Sequence, residues 1–180
     1  KRLDSALSNV VNAVSFTQTQ DGFMKTMDKA LRRMGELAML AKDNTKSQAD
    51  LNLYQKEFQQ LQDYVDNTRT KEFNAVSMFG ATTINVTVDS EGNTFKMPPI
   101  NLGAGTTAGA YSAAVTTGID LTTSANAGAA LTAVKAAISQ IAIDRAQLGA
   151  VQSRLNFTND QLNITKENLS SAISRVADVD

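Results

Sequence analysis

Side chains that are apolar except at Thr17 and Gln20 recur at alternating steps of three and four residues through the first 41 positions of the chain. The row consists of Leu3, Ala6, Val10, Ala13, Thr17, Gln20, Met24, Met27, Leu31, Met34, Ala38 and Ala41. Such steps place side chains on one face of an α-helix, whereas a strand would need steps of two. The spacing therefore predicts one helix of about 60 Å, covered along a single face by a partner.

A second helix is predicted after a short connector at residues 43–46. Ser47 with Asp50 three positions later resembles a capping box, in which a hydroxyl accepts a hydrogen bond from a free helix amide. Helical spacing continues from Leu51 through Phe58 to about Asn67. Because the connector is short, we expect this helix to fold back antiparallel on the first.

The pattern changes to strict alternation at Thr82. Ile84, Val86 and Val88 alternate with polar residues, turn-forming residues follow at positions 89–93, and residues 94–97 return in phase. Alternation on both sides of a turn predicts a β-hairpin. The prolines at positions 98 and 99 end the return strand, because proline cannot donate to the ladder.

Residues 98–126 are mainly Gly, Ala, Thr and Ser, with Asp120 as the only charge. We expect a loop-rich segment that adds little to a core and contains one short strand near Tyr111–Val115. From about Asn126 the helical signal returns. Seven apolar residues lie seven apart: Val134, Ile141, Leu148, Leu155, Leu162, Leu169 and Val176.

A partial second row along this last helix is interrupted by Arg145, Asn159 and Lys166. The apolar seam is therefore expected to be one face of a bundle rather than an isolated two-stranded coiled coil. The fold class predicted is mainly α, an elongated bundle of long antiparallel helices with a β-hairpin and a small irregular insertion. Its segments are an N-terminal helical half at residues 1–80, the β-hairpin with a variable surface segment at residues 81–127, and the C-terminal long helix at residues 128–180.

Composition argues against an enzyme. The chain has no Cys and no His, so thiolate chemistry, the usual metal ligand and the usual neutral-pH base are missing. The carboxylates that remain as catalytic candidates fall at positions that suit solvated helix faces: Asp21, Glu36, Glu57, Asp63, Asp66 and Asp144. We predict no catalytic, cofactor-binding or metal site.

The charge distribution also narrows the choice of partners. The chain has 17 basic and 18 acidic residues, and its nearest approach to a basic patch is Arg32, Arg33, Lys42 and Lys46. Nucleic-acid binding would need more positive charge with interleaved aromatic residues. No apolar stretch approaches the ~18 residues of a membrane-spanning helix. The residues alone thus favour a structural or interaction protein that can pack against copies of itself.

Two groups of residues carry a closer resemblance. Residues 18–23 (QTQDGF), 31–38 (LRRMGELA), 55–58 (QKEF) and 72–74 (EFN) resemble the N-terminal segment of bacterial flagellins. Residues 145–155 (RAQLGAVQSRL) and 168–178 (NLSSAISRVAD) resemble the flagellin C-terminal signature. The resemblance covers residues 1–80 and 128–180, in the order that the family has.

This resemblance implies the helical rod of a flagellar filament subunit, secreted through the flagellar export apparatus without a cleaved signal. It implies as partners other flagellin subunits, an export chaperone and the filament cap. The chain starts within a helical pattern and without Met, so we expect a fragment that lacks the terminal helices on which polymerisation depends in the family. The alternatives are a hook–filament junction protein and a surface flagellin homologue that binds glycans through residues 98–126.

Some flagellins are recognised by the flagellin-sensing Toll-like receptor through an Arg, a Leu and a Glu. By position these resemble Arg33, Leu37 and Glu57, which we predict as a contact either for that receptor or for a neighbouring subunit. Two positions depart from the family pattern. Gly35 stands where a second Arg is usual, and Ala75 replaces the Gly that follows Glu-Phe-Asn.

Overall fold

The computed structural model describes residues 1–103, 109–116 and 118–178. Within these ranges the chain forms four helices and two pairs of short strands. In chain order they are α1 (Arg2–Ala41), α2 (Gln48–Thr68), β1 (Glu72–Phe73), β2 (Val76–Ser77), β3 (Ile84–Thr87), β4 (Thr94–Met97), α3 (Gly109–Val115) and α4 (Ser124–Asp178). The mainly helical class with a β-hairpin is confirmed.

The predicted row of α1 is its buried face. Every member from Ala6 to Ala41 is buried, including the two polar residues Thr17 and Gln20, and only Leu3 is half-buried. The Thr17 hydroxyl donates to the Val14 carbonyl of its own helix at 2.9 Å. A buried hydroxyl needs such a partner, which explains how a polar side chain fits into the row.

The start of α2 has the geometry that its sequence predicts. The Ser47 hydroxyl accepts from the Asp50 amide at 3.2 Å, and the Asp50 carboxylate accepts from the Ser47 amide at 3.0 Å. The Ser47 hydroxyl also donates to the Asp50 carboxylate at 2.7 Å, and this bond together with the one from the Ser47 amide lowers the pKa of the Asp50 carboxyl. The capping box is confirmed, and it fixes the point at which the chain turns back after α1.

The chain divides into two compact units. The first contains Lys1–Thr19, Thr82–Pro98 and the part of α4 from Gln147 onward. Its buried side chains come from α1 (Ala6, Val10, Ala13 and Phe16), from the hairpin (Val86, Phe95 and Met97) and from α4 (Leu148, Val151, Leu155 and Leu162). Lys166 on α4 binds Asp4 on α1 at 2.8 Å, and the guanidinium of Arg154 lies 4.2 Å from the centre of the Phe95 ring.

The second unit contains Gln20–Ala81 and Pro99–Ala146. Tyr64 on α2 donates to Thr26 on α1, and Glu57 on α2 accepts from Arg33 on α1. The earlier residue of α1 contacts the later residue of α2, so the two helices run antiparallel as predicted. Their buried faces contain Met24, Met27, Leu31 and Met34 from α1 and Leu51, Phe58 and Val65 from α2.

The hairpin at residues 84–97 is confirmed, with Ile84 opposite Met97 and Val86 opposite Phe95. A smaller hairpin at residues 72–77 was not predicted, because its two strands have only two residues each. Asn74 and Ala75 form its turn with φ of 49° and 62°. These values are the left-handed conformation that a two-residue hairpin turn requires.

Two expectations for residues 98–126 are wrong. Residues 109–115 form a helix rather than a strand, because Tyr111 and Ala114 lie three apart and are buried together while small helix-compatible residues surround them. The segment also fills part of a core, since Ile100, Leu102 and Leu121 are each buried. These apolar residues are too widely spaced to form a periodic signal in the sequence.

The row of apolar residues that lie seven apart in α4, from Val134 to Val176, is buried only as far as Leu162. Leu169 is 53% exposed and Val176 is 74% exposed, although both continue the same spacing. The spacing therefore identifies the correct face of the helix. Among the described residues, that face is covered only as far as Leu162.

Candidate functional site

The candidate residues on α1 and α2 meet in a pair of hydrogen bonds. Nε of Arg33 donates to Oε1 of Glu57 at 2.6 Å, and Nη2 donates to Oε2 at 3.1 Å. Two parallel hydrogen bonds between a guanidinium and a carboxylate form the strongest geometry available to this pair. A third bond joins Nη1 of Arg33 to Glu36 at 3.0 Å. The Arg33 guanidinium is therefore held on two sides by carboxylates.

Mutual hydrogen bonding keeps both groups charged. The hydrogen bonds to Glu57, and then to Glu36, raise the pKa of Arg33. The hydrogen bond from Arg33 lowers the pKa of Glu57 below its ordinary value. Because the side chains are 46% and 45% exposed, water screens the attraction, and the geometry contributes orientation more than stability.

The three candidate residues do not share one surface. Leu37 is 1% exposed and belongs to the buried face of α1, whereas Arg33 and Glu57 reach solvent. Leu37 can therefore support this surface from beneath, and direct contact with another molecule falls to the two charged side chains. Gly35, two positions from Arg33, lies against α4, where an added Cβ would be 3.6 Å from Val134.

Several polar residues that the sequence analysis left on solvated faces join elements of the second unit. Asp21 accepts hydrogen bonds from Lys25 at 2.7 Å and from Arg145 at 3.0 Å. Asp144 accepts from the buried Tyr111 hydroxyl at 2.7 Å and from Gln140 at 2.9 Å. The expectation that Asp21 and Asp144 are simply solvated is wrong, because both carboxylates hold other elements in place.

Glutamine side chains of α2 fix the segment that leads into α4. Nε2 of Gln62 donates to the carbonyls of Ala114 and Ile119, each at 3.1 Å, and Oε1 of Gln55 accepts from the Leu121 amide at 2.6 Å. Both glutamines border a polar cleft of about 350 Å³ between α2 and residues 115, 116 and 118–120. Their side-chain amides satisfy backbone groups at the end of α3 and in the segment after it, which would otherwise lack partners.

Gln20 marks a contact that the sequence could have indicated. It interrupts the apolar row of α1, and its Nε2 donates to the Met78 carbonyl at 2.5 Å from a buried position. Next to it, the rings of Phe23 and Phe79 meet edge to face with centroids 6.4 Å apart. A buried amide in an apolar row is a recognisable signal, but the residue that it binds cannot be inferred from the spacing.

The described residues contain no group of three side chains placed to hold a metal ion. In the same part of the chain, no helix combines the length and the apolarity that crossing a bilayer requires. The polar contacts of Asp21, Asp144, Gln55 and Gln62 instead join helices to one another and to the segments between them. Fold and site together define a helical protein whose polar contacts serve architecture.

Comparison with known proteins assigns the family. The N-terminal helical region of bacterial flagellin matches residues 1–83, and its C-terminal helical region matches residues 131–180. Flagellin of Bacillus subtilis is 30% identical over 210 aligned positions that cover 99% of this chain and 69% of the relative. Flagellin of Halalkalibacterium halodurans is 30% identical, and the chain spans 65% of its length. The chain belongs to the bacterial flagellin family.

Solved structures agree with this assignment. The flagellin of Bacillus cereus superposes with a TM-score of 0.73 at 26% identity, covering 92% of this chain and 94% of the other. A Vibrio parahaemolyticus chain assigned as a flagellar hook-associated protein has a TM-score of 0.77 at 12% identity, which shows a shared fold alone. Flagellins are structural proteins, so the prediction that this chain is not an enzyme is confirmed.

Proposed function

We propose that this chain is the helical part of a subunit of the bacterial flagellar filament and serves motility as a structural element. The match to both flagellin helical regions, in their family order, carries the proposal. The Brachyspira hyodysenteriae relative, a flagellar filament core protein, is 28% identical and aligns with 99% of this chain. The chain spans about two thirds of such relatives, so the role assigned to the whole protein is inferred from them.

The partners follow from this role. Other flagellin subunits are the first partner, through helical packing in a homopolymer. An export chaperone and the filament cap are further partners, and the protein is placed outside the cell after passage through the flagellar export apparatus. The near balance of 17 basic and 18 acidic residues supports close packing of copies, since little net charge opposes it.

Removing the gene in the source cells tests the proposal. If the chain is part of a filament subunit, the deletion strain loses filaments and swimming, and the intact gene restores both. A strain that keeps filaments of normal length and full motility, in cells with no second flagellin gene, would contradict the filament role.

The two alternatives have less support. A hook–filament junction protein shares the fold, as the Vibrio parahaemolyticus structure illustrates, but that likeness concerns the fold alone. A glycan-binding role would need an aromatic platform within residues 98–126. Tyr111, the aromatic residue of that segment, is 2% exposed and engaged with Asp144, so it is unavailable for stacking on a sugar.

We propose that the surface of Arg33 and Glu57 is a protein contact, with a neighbouring subunit as the first candidate and the flagellin-sensing Toll-like receptor as the second. Arg33 and Glu57 present a rigid charged pair, and Leu37 holds its helix in position from the buried side. Pre-organised charged pairs contribute specificity to an interface more than raw affinity.

Arg33→Ala distinguishes these partners, with Arg32→Ala as the matched control. Arg32 is exposed, adjacent and bound to Asp28 at 3.0 Å, so the control removes the same charge from another face. Loss of filament assembly in Arg33→Ala alone supports the subunit contact, and loss of receptor signalling alone supports the receptor. Equal behaviour of both variants in both assays would remove Arg33 from either contact.

A further inference from the structure

The outer edge of β3 has backbone groups that face away from its partner strand. Val88 donates from its amide to the Asn93 carbonyl at 2.9 Å, so these two residues form a hydrogen-bonded pair. Antiparallel ladders alternate between hydrogen-bonded and non-hydrogen-bonded pairs. With Val86 opposite Phe95, the amide and carbonyl groups of Asn85 and Thr87 consequently point away from β4.

No third strand covers this edge within the part of the chain that the structure describes. The hairpin is a two-stranded sheet, so β3 is paired on one side only. Asn85 is exposed, whereas Val86 is buried and anchors the strand to its own unit. Thr87 is half-buried, and the edge is held in an extended conformation with no strand on its outer side among the described residues.

The sequence of this edge lacks the features that normally protect one. Residues 82–88 (TTINVTV) have no charge, no Gly and no Pro, and six of the seven are β-branched. Charged side chains, especially Lys, and prolines are the usual means of preventing an edge strand from pairing with another chain. The opposite edge has both nearby, since β4 contains Lys96 and Pro98 directly follows the strand.

We propose that β3 pairs with β3 of a second copy of this chain, antiparallel and centred on Val86. This register places Asn85 of one copy opposite Thr87 of the other. Both residues have outward amide and carbonyl groups, so the two symmetric pairs form four backbone hydrogen bonds. An interface that uses the same surface of both copies closes as a dimer and does not propagate.

The side chains favour a second copy over a charged strand of another protein. In the symmetric register the side chains of Asn85 and Thr87 face each other, and both are polar and uncharged. Like charges directly opposite each other would destabilise a strand pair, and none meet in this register. A strand that carries charged residues would find no opposite charge between positions 82 and 88.

The pairing goes beyond the filament role and does not rest on it. It uses only the hairpin, whereas the filament proposal rests on the helical regions. Gene deletion with motility tests the filament role, and solution association tests the strand pairing. Failure of either therefore leaves the other standing.

Sedimentation of the 180-residue chain over a range of concentrations tests the pairing. The unchanged chain is expected to show a monomer–dimer equilibrium. Asn85→Pro removes an outward amide from each copy and leaves the ladder with β4 intact. Two of four hydrogen bonds are then lost, so the dimer weakens by roughly tenfold or more.

Lys96→Pro is the matched control, because Lys96 is opposite Asn85 and its amide points outward from the other edge. This variant is expected to dimerise as the unchanged chain does. Thermal melting of each variant by circular dichroism establishes that the fold is retained. Equal dimerisation of Asn85→Pro and Lys96→Pro would overturn the proposal.

Hydrogen exchange on the unchanged chain provides a measurement that depends on no variant. The amides of Asn85 and Thr87 are expected to exchange more slowly as protein concentration rises, while the Lys96 amide keeps its rate. The proposal would also be overturned if the chain remained monomeric at every concentration, or if the exchange rate of the Asn85 amide did not depend on concentration.

Discussion

Arg145 on α4 donates from Nε to Oδ1 of Asp21 on α1 at 3.0 Å, which joins residues 124 positions apart in the chain. Both side chains are partly shielded, with 34% and 21% of their surfaces exposed. Lys25 binds the other oxygen of the same carboxylate at 2.7 Å. Asp21 therefore ties the N-terminal flagellin region to the C-terminal one within the second unit.

Arg145→Gln is expected to lower the free energy of unfolding by about 1 kcal/mol, because one charge-assisted hydrogen bond is lost while Lys25 still binds Asp21. Urea unfolding followed by circular dichroism measures the change. The matched control is Arg175→Gln, since Arg175 is exposed near the end of α4. An equal loss of unfolding free energy in both variants would show that the contact with Asp21 does not contribute to stability.

Stability should also depend on Asp21 in acid. Burial raises the pKa of Asp21, but the hydrogen bonds from Lys25 and Arg145 outweigh burial and lower it overall. A lowered folded-state pKa gives stability that is present above the unfolded-state value of about 4 and is lost as pH falls through the folded-state pKa. Asp21→Asn should melt at a temperature less sensitive to pH below about 4 than the unchanged chain. Parallel melting curves for both proteins across that range would contradict the expectation.

Gln20→Leu is expected to destabilise the chain by about 1–3 kcal/mol, because the Met78 carbonyl would lose its buried partner. Gln18→Leu is the control, since Gln18 is exposed on the same helix and should change stability by less than about 0.5 kcal/mol. Equilibrium unfolding in urea compares the two variants. If both give the same small change, the bond to Met78 makes no measurable contribution.

Ala75→Gly is expected to stabilise the chain by about 0.5–1 kcal/mol. Ala75 adopts a φ of 62°, a conformation that costs an ordinary residue about 1–2 kcal/mol and costs glycine little. The greater freedom of glycine in the unfolded chain offsets part of this gain. Ala150→Gly, in exposed helix, should have the opposite sign, with a loss of about 1 kcal/mol. A lower melting temperature for Ala75→Gly would show that the turn is not strained.

Tyr111→Phe should lower stability by about 1–2 kcal/mol, because the buried hydroxyl donates to the charged Asp144 carboxylate. Burial, and then the contact with Asp144, raises the pKa of Tyr111, so the hydroxyl remains a donor in ordinary buffers. Tyr54→Phe on α2 serves as the control. Its hydroxyl has no hydrogen-bond partner among the described residues, and the change should be small. Thermal melting that shifts equally for both variants would contradict the role of the Asp144 contact.

Elements with a strong period could be predicted from the sequence, and short ones could not. The row from Ala6 to Ala41 and the alternation at residues 84–88 each repeat enough times to fix a helix face or a strand. The hairpin at residues 72–77 and the helix at residues 109–115 are too short for a period to emerge. Gln20 binds Met78 just after the hairpin, and Asp144 binds Tyr111 in the helix, and the sequence cannot assign such tertiary partners.

The candidate contact was accessible to sequence analysis only through the family resemblance. Spacing identifies Leu37 as a residue near the apolar row but not as a fully buried one. Likewise, Arg33 and Glu57 lie on separate helices, and a short connector fixes their direction without fixing the register that brings their side chains together. Such contacts between helices depend on packing across the whole second unit.

Immunogold electron microscopy of intact source cells, with antibody raised against this chain, tests the central claim most directly. The filament role predicts label along the whole length of each filament. Label restricted to a band next to the hook would contradict it and assign the chain to the junction. Label on the cell surface without filaments would contradict it as well and leave a flagellin fold serving another purpose.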